Sequence, residues 1–307
     1  MKAGKLSESV LKRSVLKQLH TDNVTENATS GETMAAHIVT KTQIGADYAA
    51  AQLNRECAGG IDVQAGKSPA GADIHMPDSV AEGTSVVSAM ATRCLGSSMN
   101  PMLSVYAALN NLYCSGAEAY GIMVNLLLPT SANENELREW VKMIDTVCAK
   151  EGIAVLGGHT EVVRAVNEPV VTVTALGTVA EEKRIGAGTV KPGMDILITK
   201  QIALEGTAIL ATQHEQELLG RYAAPFIDRA KRFIDYLSIR SEAAVAAKSG
   251  VAAMHDISEG GVFGALWEMG QSSGVGLEID LKKIPIRQET VEICEFFDLN
   301  PYKLVSG

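Results

Sequence analysis

The run Met254-His255-Asp256-Ile257-Ser258-Glu259-Gly260-Gly261 constrains the fold of this chain more than any other stretch. A short apolar run, Gly250-Val251-Ala252-Ala253, leads into it. Val262, Ala265, Leu266 and Met269 follow at i, i+3, i+4 and i+7, the spacing of an amphipathic helix. The motif therefore reads as a strand-to-helix turn. Gly260 and Gly261 let a ligand approach the backbone closely, and the N–H groups that open the helix lack intrahelical partners and can face an anion. Asp256 and Glu259 place carboxylates at the same corner. Phosphate-binding amides beside carboxylates point to a metal-bridged nucleotide, because Mg2+ takes oxygen ligands and phosphate together. The plainer reading is a capped helix, with Ser258 at the N-cap and the glycine pair easing helix–strand packing.

A second glycine-rich corner, Val155-Leu156-Gly157-Gly158-His159-Thr160-Glu161, shifts the balance toward a ligand site. It follows the strand-like run Gly152 to Leu156. Before that run, Leu137, Trp140, Val141, Ile144 and Cys148 share one face of a helix over 134–150, with Gly152 where a C-cap glycine belongs. After it, the β-branched run 169–176 reads as a strand. His159 is either a turn histidine held by a hydrogen bond or a proton carrier near neutral pH. Glu161 is equally readable as a solvated loop charge.

A length of 307 residues suggests about two domains. With 46% hydrophobic and 21% charged residues, the composition is that of a soluble globular protein. The net charge of −9 and the lack of a basic stripe argue against nucleic-acid binding. No run approaches the ~18 apolar residues of a membrane span, and Met1 to Leu6 lacks a signal-peptide core. Five cysteines, at 57, 94, 114, 148 and 294, show neither CxxC pairing nor zinc-ligand spacing. Their odd count favours reduced thiols and a cytoplasmic location. Cys148 and Cys294 sit in apolar helical patterns and read as core residues.

Along the chain, 6–19 reads as a short helix. The stretch from His20 to about Gly83 is rich in turn residues, either a flexible insertion or strands joined by long loops. Residues 86–88 read as a strand, 101–114 as a helix and 121–128 as a buried strand ended by Pro129. A polar, turn-rich boundary at 178–193 separates this α+β layout from a second unit. There, strands are expected at 194–199, 251–256 and 276–281, and helices at 206–211, 224–236, 241–248, 260–270 and 288–297. The apolar runs 121–128 and 170–176 exceed what one buried face requires, which predicts a homodimer through them.

Met1 to Leu6, Gly157 to Glu161, Leu204-Glu205-Gly206-Thr207-Ala208-Ile209-Leu210 and His255 to Gly261 together resemble the aminoimidazole ribonucleotide (AIR) synthase superfamily. The branch they most resemble is the AIR-synthase-related proteins similar to hydrogenase expression/formation proteins. The resemblance implies a two-domain α+β fold. Residues 1–180 would form an N-terminal ATP-binding and dimerisation domain, and 190–307 a C-terminal α/β domain, shortened relative to relatives that continue past a Ser-Gly turn. It implies Mg-ATP between the domains and phosphoryl transfer onto an amide or related oxygen of an acceptor.

The resemblance, carried over to Gly45-Ala46-Asp47, to Asn110-Asn111 and to the motifs above, implies the site residues. Nucleotide contacts fall on Gly45, Asp47, Asn110, Asn111, Gly157, Gly158, Thr160, Gly260 and Gly261, metal ligation on Asp47, Glu161 and Asp256, and reaction roles on His159, Asp256 and Glu259. Asp73, in Gly71-Ala72-Asp73, competes with Asp47 as the metal-loop residue. The chain departs from the pattern at Met90 and Asn111, where relatives carry aspartates. It also lacks the terminal cysteine of hydrogenase-maturation relatives. Met90 and Asn111 support one alternative, a noncatalytic partner subunit; the other, a hydrogenase-maturation-type factor, is opposed by the missing cysteine.

Overall fold

A computed structural model of the protein describes residues 37–38, 48–52, 83–94 and 98–307. The 6–19 helix, Gly45, Asp47 and Asp73 lie outside the described residues. Among the described residues, six strands form one sheet: β1 (His37–Ile38), β2 (Tyr48–Gln52), β3 (Thr84–Arg93), β4 (Glu118–Leu128), β5 (Ala154–Val162) and β6 (Val170–Ala180), in the order β1-β2-β3-β6-β4-β5. Every pairing is antiparallel except β4 with β5. β3 and β6 alternate strictly. Ser85, Val87, Ala89 and Arg93 point to one face with Val171, Val173 and Ala175, while Met90 and Thr92 point to the other.

Two helices cover the first face. α1 (Asn100–Tyr113) carries Pro101 in its first turn, where proline's missing N–H costs nothing. It is buried almost all round, because the sheet lies on one side and the second half of the chain on the other. α2 (Glu134–Glu151) is amphipathic and begins with a reciprocal capping box: Glu136 N donates to Asn133 Oδ1 at 3.0 Å, and Asn133 N donates to Glu136 Oε2 at 3.1 Å. Gly152 caps its end, as the sequence predicts.

The second half holds α3 (Leu204–Gln213), α4 (Glu215–Leu219), α5 (Ala224–Lys231), α6 (Arg240–Ser249), α7 (Gly261–Ser273) and α8 (Gln288–Phe296). The expected helices are all present, the one over 224–236 finishing as a 3-10 turn from Arg232. The expected strands are not. Among the described residues, 194–199, 251–256 and 276–281 join no ladder. Ile198, Leu277 and Ile279 pack instead around Val262 and Leu266 of α7, while Met194, Ile196 and Leu197 stay exposed. Alternating apolar residues reported burial against a helix here, not pairing.

One apolar cluster joins the sheet, α1 and α2 to Leu204, Ala208, Phe233, Leu237 and Ala243 of the second half. A strap formed by 301–307 then closes the second half. Glu205 N donates to Ser306 O, Gly206 N to Val305 O, and the Ser306 and Gly307 N–H groups to Ile257 O. Cys114, Cys148 and Cys294 are buried thiols. No helix among the described residues is long and apolar enough to cross a membrane.

Candidate active site: a buried charge cluster at the junction of the two halves

The alternation of β3 brings its last residue, Arg93, inward beneath α1. There it meets the second half of the chain. Glu205, in the first turn of α3, places Oε1 3.4 Å from Arg93 Nε, and Glu259, from the lead-in to α7, forms an ion pair with Arg93 Nη1. Arg93 and Glu205 are both buried, whereas Glu259 keeps 40% of its side chain in solvent. The Nε and Nη2 atoms of Arg93 and both carboxyl oxygens of Glu205 have no hydrogen-bond partner among the described residues. Burial raises the Glu205 carboxyl above its ordinary range, and the Arg93 charge pulls back against that shift.

Beside this pair, α1 presents Asn111 to Asp256. With the amide turned so that its nitrogen faces the carboxylate, the orientation that satisfies both groups, Asn111 donates to Asp256 Oδ1 at 2.8 Å and Oδ2 at 2.9 Å. His255 is held on two sides. Its Nδ1 lies 2.6 Å from the Asp256 carbonyl oxygen and 3.5 Å from Oδ1, and its Nε2 lies 3.0 Å from Glu268 Oε2 on α7. Burial alone would lower the imidazole pKa. The hydrogen bonds to Asp256 and Glu268 and the Asp256 charge outweigh it and push it up to about 10. The junction therefore holds two protein cations, Arg93 and an imidazolium, among four acidic side chains.

Three of the expected site residues meet here: Asp256, Glu259 and Asn111. Asn110 does not join them. It is fully buried, and its amide is spent on the second half's backbone: Nδ2 donates to Leu237 O at 2.9 Å and Oδ1 accepts from Ile239 N at 3.1 Å. It pins the halves together. Gly260 and Gly261 open α7 with φ of 95° and 62°, but a Cβ on Gly261 would lie 2.5 Å from Tyr302 O. The close approach that Gly261 permits is that of the chain's own strap. Gly260, not Ser258, is the N-cap.

The 157–161 motif is not a corner but the middle of β5, because β4 offers it a parallel neighbour. A Cβ on Gly158 would come 1.9 Å from Val124 O, whereas one on Gly157 would meet nothing within 4 Å. Register pairs His159 with Asn125 and Glu161 with Leu127, and Asn125 with Thr172, whose hydroxyl bonds that of Thr92. His159 and Glu161 therefore share the open face of the sheet, 3.4 Å apart. Thr160 lies between them and is exposed. Arg93, next to Thr92, points to the opposite face. On this parity His159 and Glu161 face away from Asp256, whereas Thr160, paired with buried Leu126, falls on the covered side.

The described residues do not assemble a magnesium site. No three His, Cys, Asp or Glu side chains among them are arranged to hold a metal. Asp256 and Glu161 lie on opposite sides of the sheet, and both oxygens of Asp256 are engaged by Asn111. Three members of the cluster were not singled out from sequence. Arg93 was detectable as a charged residue at an inward position of β3. Glu205 lies in a recognised motif but had no assigned role, and Glu268 falls seven residues after Gly261 on the buried side of α7.

Comparison with known proteins follows the same division of the chain. Residues 98–179 match the N-terminal domain, and residues 191–303 the C-terminal domain, of "AIR synthase related protein". The chain is 28% identical over 204 residues to a putative hydrogenase expression/formation protein of Methanocaldococcus jannaschii, covering 66% of this chain and 58% of that protein. It is 26% identical over 206 residues to carbamoyl dehydratase HypE of Rhodobacter capsulatus, with the same coverage. It is also 26% identical over 188 residues to selenide, water dikinase of Treponema denticola, covering 61% of this chain and 50% of that one. The chain thus spans about half to three fifths of these relatives. Among solved structures, hydrogenase maturation protein HypE in complex with ATP superposes with a TM-score of 0.63 at 17% identity, over 72% of this chain and 66% of that one. AaThiL complexed with AMPPCP and TMP gives 0.61 at 17%, over 73% of each.

Proposed function

Because the chain belongs to the AIR synthase related protein family, we propose that it binds ATP at the junction of two domains, 1–180 and 190–307, and transfers a phosphoryl group. The acceptor is an amide or related oxygen. That oxygen attacks the γ-phosphorus, ADP departs, and the phosphorylated oxygen becomes a good leaving group. Such chemistry asks the protein mainly for positioning and charge neutralisation. One observation carries the reading. The family's His255 to Gly261 motif closes onto Arg93 and Asn111 of the sheet half, so both halves contribute to one buried charged junction. Arg93 and the His255 imidazolium supply positive charge there, and Asn111 and Glu268 hold the lead-in to α7 in place. The ATP-bound and AMPPCP-bound neighbours support nucleotide binding. A role for Mg2+ is part of the proposal only as the ion that accompanies ATP, and no step is assigned to it. In this reading the protein is cytoplasmic and homodimeric through the open face of the sheet, so His159 and Glu161 face the partner side.

The test is ADP formation from ATP offered with small primary amides. The expected result is turnover that falls at least about tenfold in Asp256→Ala, as for loss of one organising group. Absence of both ATP binding and turnover would reject it. A second reading, a noncatalytic partner subunit, is favoured by the engagement of Asp256 with Asn111 and of Glu259 with Arg93. ATP binding without turnover would select it. The similarity to hydrogenase formation proteins, and to a HypE chain solved in complex with HypF, also supports a maturation role with a protein-borne acceptor.

A further inference from the structure

We propose that Arg93 is the oxyanion-receiving group of this junction, and that Glu259 is a carboxylate seated where a phosphoryl oxygen of the ligand goes. The inference rests on the proposed function, in which the ligand carries phosphoryl groups. Its carrying observation is the uneven way Arg93 is satisfied. The side chain is only 3% exposed, yet Nη2 has no hydrogen-bond partner among the described residues and Nε reaches only Glu205 Oε1, at a long 3.4 Å. Five N–H donors in a planar fork match an oxyanion bidentately, and buried donors left unmade are costly.

The two carboxylates beside Arg93 differ in kind. Glu205 is wholly inaccessible, and α3 is anchored by the backbone bonds of Glu205 and Gly206 to the strap. It is the permanent counter-ion. Glu259 comes from the irregular segment before α7, retains 40% exposure and touches Arg93 through Nη1 alone. It is the exchangeable one. Replacing the Glu259 carboxylate by a phosphoryl oxygen leaves Arg93 with an anionic partner on its open side throughout, so ligand entry does not strand a buried charge. Glu259 then acts as a built-in competitor, and its removal improves binding. A Glu259 needed to hold the ligand predicts the reverse.

The experiment is calorimetric titration of the full chain and of Glu259→Gln with ATP and, separately, with inorganic phosphate, at constant ionic strength. Expected is about tenfold tighter binding to Glu259→Gln, as for removal of a competing charged contact. Tightening for ATP alone assigns the oxyanion to the nucleotide, and tightening for phosphate alone assigns it to a phosphate on the acceptor. Either supports the inference. Arg93→Lys, which keeps the charge and loses the fork, weakens the same ligand about tenfold. Unchanged or weaker binding of both ligands to Glu259→Gln overturns the inference. That variant alters a part-exposed side chain, so the result does not depend on whether the buried Arg93→Lys variant folds. If the unmodified chain turns over ATP while Glu259→Gln binds no better, only this inference falls and the phosphoryl-transfer reading stands.

Discussion

Asp256 is committed before any ligand arrives: both of its oxygens accept from Asn111, and His255 lies against it. An aspartate at 111 would set two carboxylates within about 3 Å of each other, where both cannot stay ionised cheaply. Asparagine at that position is thus matched to its partner. His255 completes the arrangement, and its raised pKa carries a pH signature. A histidine whose folded pKa of about 10 exceeds its ordinary 6.5 stabilises the fold fully below pH 6.5. That contribution drains away as the pH rises toward 10. Urea midpoints should therefore fall across this window. In Glu268→Gln, which keeps the shape and removes one anionic acceptor, the fall should begin at the same pH, near 6.5, but level off at lower pH, with a loss of about 2 kcal/mol at pH 6. Superimposable stability–pH curves for the two proteins would show that His255 is not the titrating group.

The β5 element carries its two glycines for different reasons. Gly158 has none of the room a side chain needs against Val124, while Gly157 faces open space. Gly158→Ala should destabilise the protein by about 3 kcal/mol, through forced separation of β5 from β4. Gly157→Ala should stay within about 0.5 kcal/mol, as an unobstructed surface change does. Thermal melts of the two variants decide the point, and equal losses would mean that β5 is not paired as described. The same element shows where the sequence could be read and where it could not. The 134–150 helix was legible down to its C-cap because apolar spacing, Asn133, Glu136 and Gly152 all agree. The family motifs led to Asp256, Glu259 and Asn111. Strand parity is a different matter. It depends on which neighbour a strand finds, so Gly157 to Glu161 looked like a corner and His159 like a companion of Asp256. The runs at 194–199, 251–256 and 276–281 misled for the same reason, because a pattern records which side is apolar and not what covers it. Arg93 was missed because an inward charge declares itself only when its partners, 112 and 166 residues further on, are brought to it.

For the whole molecule, the main asymmetry is the sheet with one covered and one open face. On the open face Met90 is 64% and Met123 49% exposed, in one row with Thr174. A flat apolar strip of this kind suits a second copy of itself across a two-fold axis. Sedimentation should find a dimer at micromolar concentration, and Met123→Glu should shift it to monomer with the helical content unchanged. A monomeric unmodified chain would refute this. The strap acts on another axis, that of time. Ser306 Oγ reaches back 105 residues to Gln201 O, and its backbone neighbours tie Ile257 to the start of α3. The segments carrying Glu205 and Asp256 therefore cannot settle until residues 304–306 have left the ribosome. Such long-range closures are slow relative to helix formation. The sheet half can condense first, with Arg93 waiting at its edge, and the charged junction closes only once the strap is in place.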